Sequence, residues 1–331
     1  MKIHMTKVSA ALVLVLSLLR ASAFAQKTTD EIDAHLIAAR NAAGFDFTGT
    51  LARLCVAPVA VPSTLRDVAP GPAPARDTWF IEPAKVFDNL YFVGSKIHSS
   101  WALTSSEGIV LIDTLWTYNS EEEIIGGLKK LGFDPAKVKY VIISHAHPDH
   151  VGGAKLMQDR FGSRIVMGGP DWDSIEKSVN GYPGGKPKRD IVAEDGQKIT
   201  LGDTAVTIIT TPGHTPGTLS VIFTVKDNGN PLTVAYSGGT AFNFPSTVAN
   251  FDTYIKSQSK MAAAAASANA TILVSNHSEF DSATTKIRFL ASRKPGEPHP
   301  FEIGKDAVAR YFVVTGECAQ AARLKLTQPA G

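Results

Sequence analysis

The chain has 331 residues, of which 44% are apolar and 19% charged, and a formal net charge of +2. That length can bury a sizeable core and suits one large catalytic domain, while the near-neutral charge excludes the basic footprint of a nucleic-acid or membrane-surface binder. Two cysteines, Cys55 and Cys318, exclude a small disulfide-dense scaffold.

Residues 1–25 have the order of a secretory leader. Lys2 and Lys7 give a positive start, Ala10 to Leu19 is apolar, and Ala23-Phe24-Ala25 offers a small-residue cleavage site. The apolar run is short for a membrane span; an uncleaved anchor is the alternative. The expectation is cleavage after Ala25, a periplasmic or secreted protein, and no membrane association thereafter. Cleavage removes Lys2, Lys7 and Arg20 but no acid, so +2 becomes −1. In an oxidising compartment Cys55 and Cys318 could be bridged. Two buried free thiols are an equal alternative, because the sequence does not supply the Cα separation.

Residues 26–78 are expected to form an N-terminal helix and a Pro-rich arm. Thr28-x-x-Glu31 resembles a capping box, Ile32, Leu36, Ala39 and Ala43 share a face, and Gly44 ends the helix. Pro58, Pro62, Pro70, Pro72 and Pro74 then make a stiff arm expected to lie over the main domain. Residues 79–331, expected to form one catalytic domain, open with β runs at Val86–Gly94, Trp101–Thr104 and Ile109–Asp113. Ser120 is expected to cap a helix through Leu131 that stops at Gly132. A buried strand, Val138 to Ile143, leads into the loop at 144–150, and Arg164 to Gly168 is another strand. Gly181 to Arg189 is a Gly- and Pro-rich loop with Lys186, Lys188 and Arg189, either solvated or a flap for an anionic substrate. Strands follow at Lys198–Leu201, Val206–Thr210, Leu219–Val225 and Leu232–Ser237, the last two joined by the hairpin turn Asp227-Asn228-Gly229-Asn230. Helices are expected over 253–269 and from Lys305 past Cys318.

The strongest chemical signal is Ser144-His145-Ala146-His147-Pro148-Asp149-His150. Three imidazoles and a carboxylate within six positions are costly to place together unless a cation holds them. Imidazole nitrogen and carboxylate oxygen are zinc-type donors, and alternate positions on an extended loop can converge on one ion. Thr211-Pro212-Gly213-His214-Thr215-Pro216-Gly217 and Asn276-His277 follow two further strands, so five of nine histidines fall in these loops.

His145-x-His147-x-Asp149-His150 resembles the signature of the metallo-β-lactamase superfamily, and the His214 and His277 loops resemble its later ligand loops. The likeness spans roughly residues 83 to 290 and implies a four-layered αββα sandwich with mixed sheets. It implies two zinc ions per chain: one held by His145, His147 and His214 with an open position, the other by Asp149, His150 and His277. A water activated at neutral pH would be the nucleophile, with ions about 3.5–4 Å apart, and Asp149 would orient it and pass a proton. Asp113 would support the ligand loop through hydrogen bonds, or simply end its strand. Many relatives carry a bridging Asp after the strand that here runs Val234-Ala235-Tyr236-Ser237. This chain has Gly238-Gly239-Thr240 there, so the pattern is most similar to subclass B3 β-lactamases. Those enzymes commonly place serine near Gly239 to contact water or a substrate carboxylate; Gly239 and Thr240 occupy that stretch here. Trp101, Trp116, Tyr118, Phe242 and Phe244 are candidates to line the mouth, though aromatics at strand ends are more often core. His98, a lone histidine, reads as a surface residue more readily than as one facing the site.

Three readings follow. The first is a B3-type zinc hydrolase opening a cyclic amide such as a β-lactam. The second is the same machinery acting on another small-molecule ester, lactone or amide. The third is a non-catalytic metal-binding fold. Oligomeric state is not encoded in any of these patterns.

Overall fold

The computed structural model describes residues 28–56, 72–178 and 184–328. The leader at 1–25, most of the Pro-rich arm, and the tip of the 181–189 loop lie outside the described residues.

Twelve strands among the described residues form two mixed sheets. The first holds β1 (Ala84–Lys85), β2 (Leu90–Phe92), β3 (Trp101–Ser105), β4 (Gly108–Ile112), β5 (Val138–Ile142), β6 (Arg164–Gly168) and β7 (Ile191–Ala193), in that spatial order. β1 to β4 are antiparallel and β4 to β7 parallel. The second holds β8 (Lys198–Leu201), β9 (Thr204–Thr210), β10 (Leu219–Asp227), β11 (Asn230–Ser237) and β12 (Ile272–Ser275). These are antiparallel except for the parallel pair β11–β12. Asn228 and Gly229, both at positive φ, close the β10–β11 hairpin.

The β-branched runs are apolar on both faces because each sheet is covered twice. In β4, Val110 and Ile112 face the core between the sheets, while Ile109 and Leu111 face outward under helices. In β12, Ile272 and Val274 point inward and Leu273 outward. The helix Ala154–Phe161 and the helix Gly169–Lys177 contribute Ala154, Met157, Trp172 and Ile175 to the outer layer of the first sheet. On the second sheet lie the helix at 28–43, the helix Val248–Ser267 and the helix Lys305–Lys325, burying Ala39, Met261 and Tyr311. Helix, sheet, sheet and helix therefore stack as an αββα sandwich. No helix of the described residues is long and apolar enough to cross a membrane.

Cys55, in the π-helical turn Ala52–Val56, is bonded to Cys318 of the helix Lys305–Lys325, with Cα atoms 5.0 Å apart. Of the two alternatives left by the sequence, the bridge is the one present.

One local expectation is corrected, and one open alternative is narrowed. Ser120 is not a cap: it is itself helical, and its hydroxyl donates back to the Thr114 carbonyl (2.7 Å) and the Trp116 carbonyl (2.5 Å). The helix after it opens as a wide π-helical stretch, Glu121–Gly126, before Gly127–Lys130. In the loop ending at Arg189, Lys186 donates to the Glu176 carbonyl (3.0 Å) and Arg189 pairs with Asp173 (2.7 Å). Those cations are tied to the end of the preceding helix rather than presented to a substrate.

Candidate metal centre

Strand direction assembles the site. β4, β5 and β6 run parallel, and β2, two antiparallel steps from β4, runs the same way. Their C-terminal ends share one edge, which carries the loops holding His98, Asp113 and His145–His150. By the same count β9, β11 and β12 share a direction, and their ends carry His214, Gly238–Thr240 and His277.

Two donor clusters meet there. Ligand atoms of His145, His147 and His214 lie within 4.8 Å of one another, and so do those of His98, Asp149 and His277. His150 adjoins the second cluster, its Nε2 3.1 Å from His277 Nε2 and 3.2 Å from Asp149 Oδ2. The clusters are neighbours, the His145 and His150 rings being 4.3 Å apart between centroids.

The donor geometry fits cations. His145 Nδ1 is bonded to the Gly238 carbonyl (2.9 Å) and His214 Nδ1 to the Ala241 carbonyl (2.6 Å). A carbonyl only accepts, so each Nδ1 carries the proton and each Nε2 is a bare lone pair. Those two Nε2 atoms face each other at 3.1 Å, and His147 Nδ1 stands 3.1 Å from His214 Nε2. Converging lone pairs repel unless a cation lies between them. With Zn–N bonds of about 2.0–2.1 Å, donors at tetrahedral corners stand about 3.3 Å apart, close to these separations. Burial pushes the His145 and His214 imidazoles well below their usual pKa, assisted by neighbouring imidazoles, so both stay neutral and able to ligate.

A buried frame holds the donors. Asp113, at φ 62° just past β4, accepts from the Ser144 amide (2.7 Å), the Ser144 hydroxyl (2.8 Å), His150 Nδ1 (3.0 Å) and the Tyr236 hydroxyl (2.7 Å). It thereby orients His150 with Nε2 toward the cluster, as carboxylates behind ligating histidines do. Burial opposes charge on His150, but Asp149 and Asp113 outweigh it and push its pKa up to about 10, so a cation bound at Nε2 would have to displace that proton. Burial also opposes charge on Asp149, yet the neighbouring His150 charge holds the carboxyl well below its usual range.

Other expected site residues lie elsewhere. Trp101 does not reach the mouth: it is fully buried between the sheets against Phe92 and Phe301, because its place in β3 points it inward. Gly239 does not face a substrate; a Cβ there would stand 2.6 Å from His214 Cβ, so the glycine lets the chain pass against a ligand. Thr240 is buried, its hydroxyl 2.6 Å from the Tyr311 hydroxyl. Phe244 is buried among Phe251 and Tyr254. Trp116 and Tyr118 do stand beside the second cluster, stacked on each other at 6.0 Å, with Trp116 edge-on to His98 at the same distance.

Three supporting residues were not foreseen. Asp171 accepts from the Ala146 amide (2.7 Å), the Thr215 hydroxyl (2.7 Å) and the Gly217 amide (2.9 Å), locking two ligand loops together. Asn276 donates to the Gly238 carbonyl (2.8 Å), the same oxygen that fixes His145. Tyr236 reaches Asp113 from β11. None carries a local pattern; only its place at a strand or helix end marks it. His98, read as surface, belongs to the second cluster.

Known proteins resemble this chain in sequence and in fold. Residues 93–227 match the family model of the metallo-β-lactamase superfamily. A UPF0173 metal-dependent hydrolase of Anaeromyxobacter dehalogenans is 31% identical over 135 residues, 41% of this chain and 47% of that protein. The N-acyl homoserine lactonase AttM of Agrobacterium fabrum is 34% identical over 134 residues, 37% of this chain and 49% of that protein. The chain thus spans about half the length of the curated relatives it matches. Among solved structures, the subclass B3 metallo-β-lactamase BJP-1 of Bradyrhizobium japonicum is 27% identical with a TM-score of 0.60, covering 75% of this chain and 97% of that one. A Cronobacter sakazakii metallo-β-lactamase with a HARLDQ motif gives 26% identity and a TM-score of 0.65, covering 78% and 96%. The chain is thus similar to the metallo-β-lactamase superfamily over residues 93–227, and it folds as the sandwich that the solved subclass B3 enzymes share.

Proposed function

We propose that the protein is a zinc-dependent hydrolase of subclass B3 type that opens a small cyclic amide, with the β-lactam ring as the first substrate to test. The observation that carries this is the pair of adjoining donor clusters at one edge of the sandwich, with lone pairs aimed at shared points. When bound, zinc would supply Lewis acidity, bringing a water to a pKa of about 7 and polarising a carbonyl. His145, His147 and His214 would hold one ion, and Asp149, His150 and His277 belong to the set for a second. The chain's own contribution is positioning and proton handling. Gly238 and Ala241 carbonyls fix the His145 and His214 tautomers. Asp149, ionised and only partly covered, can accept a proton from water and return it to a leaving nitrogen. Trp116 and Tyr118 give the substrate an aromatic wall.

A second reading, an uncharged lactone, ester or amide as substrate, is favoured by Gly239 and Thr240. Neither offers a hydroxyl to a substrate carboxylate, and Lys186 and Arg189 are engaged with the preceding helix. Zinc-loaded protein assayed on a chromogenic cephalosporin, beside lactone and anilide panels, separates the two. Cephalosporin turnover that disappears in His145→Ala supports the first. Turnover confined to lactones or anilides replaces it with the second, and metal binding without turnover of any panel overturns both. Export to the periplasm or beyond belongs to the same proposal and is supported by the Cys55–Cys318 bond.

A further inference from the structure

His98 sits in the loop between β2 and β3, outside every histidine-rich stretch, yet that loop is built to hold one imidazole against the second cluster. The Ser95 amide donates to the His98 carbonyl (2.7 Å), and the His98 amide donates to the Ser95 hydroxyl (3.1 Å). The loop can close this tightly because residue 94 is glycine: a Cβ there would stand 2.7 Å from both the His98 carbonyl oxygen and the Ser100 amide. The same loop is stitched to the His277 loop. The Ser99 amide donates to the Asn276 carbonyl and the Ser278 amide to the Ile97 carbonyl, both at 2.8 Å, pairing His98 with His277 in an antiparallel bridge.

That bridge places the two rings 4.8 Å apart and sets His98 Nε2 3.4 Å from Asp149 Oδ2, the same distance as His277 Nε2 from that oxygen. A separation of 3.4 Å is long for an imidazole–carboxylate hydrogen bond. It is close to the edge of a tetrahedron of zinc donors, about 3.3 Å. His98 therefore stands to Asp149 as His277 does, as one donor beside another.

We propose that His98 is a fourth protein ligand of the second cation, joining Asp149, His150 and His277. This deepens the metal-centre reading above and rests on it. Four protein donors make a closed site, the pattern of tightly held ions, whereas three leave a position for water or substrate. The two ions would then divide their roles: the His145–His147–His214 site keeps the open position, and the second site shapes and charges its neighbourhood without binding the leaving group. Substrates whose departing atom needs direct ligation would be disfavoured.

The test is metal binding, read without turnover. Cobalt is added stepwise to metal-free protein, and the visible spectrum of the second equivalent is recorded. Zinc retention after dialysis is measured for wild type, His98→Ala and His98→Gln, with circular dichroism of each variant to confirm folding. Intense four-coordinate cobalt bands in wild type are expected, with second-site affinity weakened about tenfold or more in both variants. Glutamine can still donate to Asp149, so undiminished second-site affinity in His98→Gln would reduce His98 to a positioning residue and overturn the proposal. Weak five- or six-coordinate bands in wild type would also overturn it, independently of any variant. A wild type that binds no metal sinks the metal-centre reading itself, whereas two ions bound without dependence on His98 sinks only this proposal.

Discussion

Asp113 shows how much of the site depends on residues that would not touch a metal. Its Oδ2 alone accepts from Ser144, His150 and Tyr236. Replacing that oxygen with an amide sets a donor against donors, so Asp113→Asn should weaken zinc binding about 10–100-fold, measured by competition with a chromophoric chelator. Unchanged affinity would mean the His150 tautomer is fixed by something else. Gly239 gives the opposite kind of prediction. Restoring the serine common in B3 enzymes should not help substrate binding here, because the new Cβ meets His214. Gly239→Ser is expected to destabilise the fold by about 1–3 kcal/mol and to lower metal affinity, both read from denaturant unfolding and zinc titration; a stable variant with lower KM would contradict that. The dense histidine loop was legible in the sequence because its cost is visible locally. His98 was not, since a lone imidazole gains meaning only from the strand ends that surround it.

At the scale of elements, local pattern located most strands and helices. Runs such as Ile109–Ile112 are apolar at every position, which marks a strand covered on both sides. Pattern was less informative where a side chain has two plausible partners. Ser120 looks like a cap but donates backward, and Trp101 opens an apolar run but points between the sheets. The helix after Ser120 also carries a titration that no local pattern foretells. Burial pushes the Glu123 carboxyl up to about 8, against the opposing hydrogen bond from the Ile81 amide. A raised folded pKa means the folded state holds its proton while the unfolded chain has released it. The associated stability is present below the unfolded value near 4.5 and is lost as pH rises toward 8. Glu123→Gln should therefore melt above wild type at pH 8–9 and converge with it near pH 5. Melting curves that differ equally at both pH values would show that Glu123 does not titrate in this way.

For the whole molecule, the two sheets do not show as a sequence repeat, because each is specified by burial on two faces rather than by recurring residues. Which strand neighbours which, and hence which loops meet, is set by chain crossovers that no local pattern records. The Cys55–Cys318 bond adds a constraint at the same scale, closing a sequence separation of 263 residues between the N-terminal segment and the last helix. Chain entropy gives such a crosslink up to about 5 kcal/mol, so reductant should lower the melting temperature by about 10 °C. An unmoved transition would show that the bridge does not limit unfolding.

The expectations for the site presuppose that imidazoles from four separate loops face one another because cations hold them. The direct measurement is zinc per chain after exhaustive dialysis of the protein lacking residues 1–25, with His214→Ala alongside. About two zinc ions in the parent and a loss of at least one in the variant is the predicted result; a folded parent protein that retains no zinc would contradict the account.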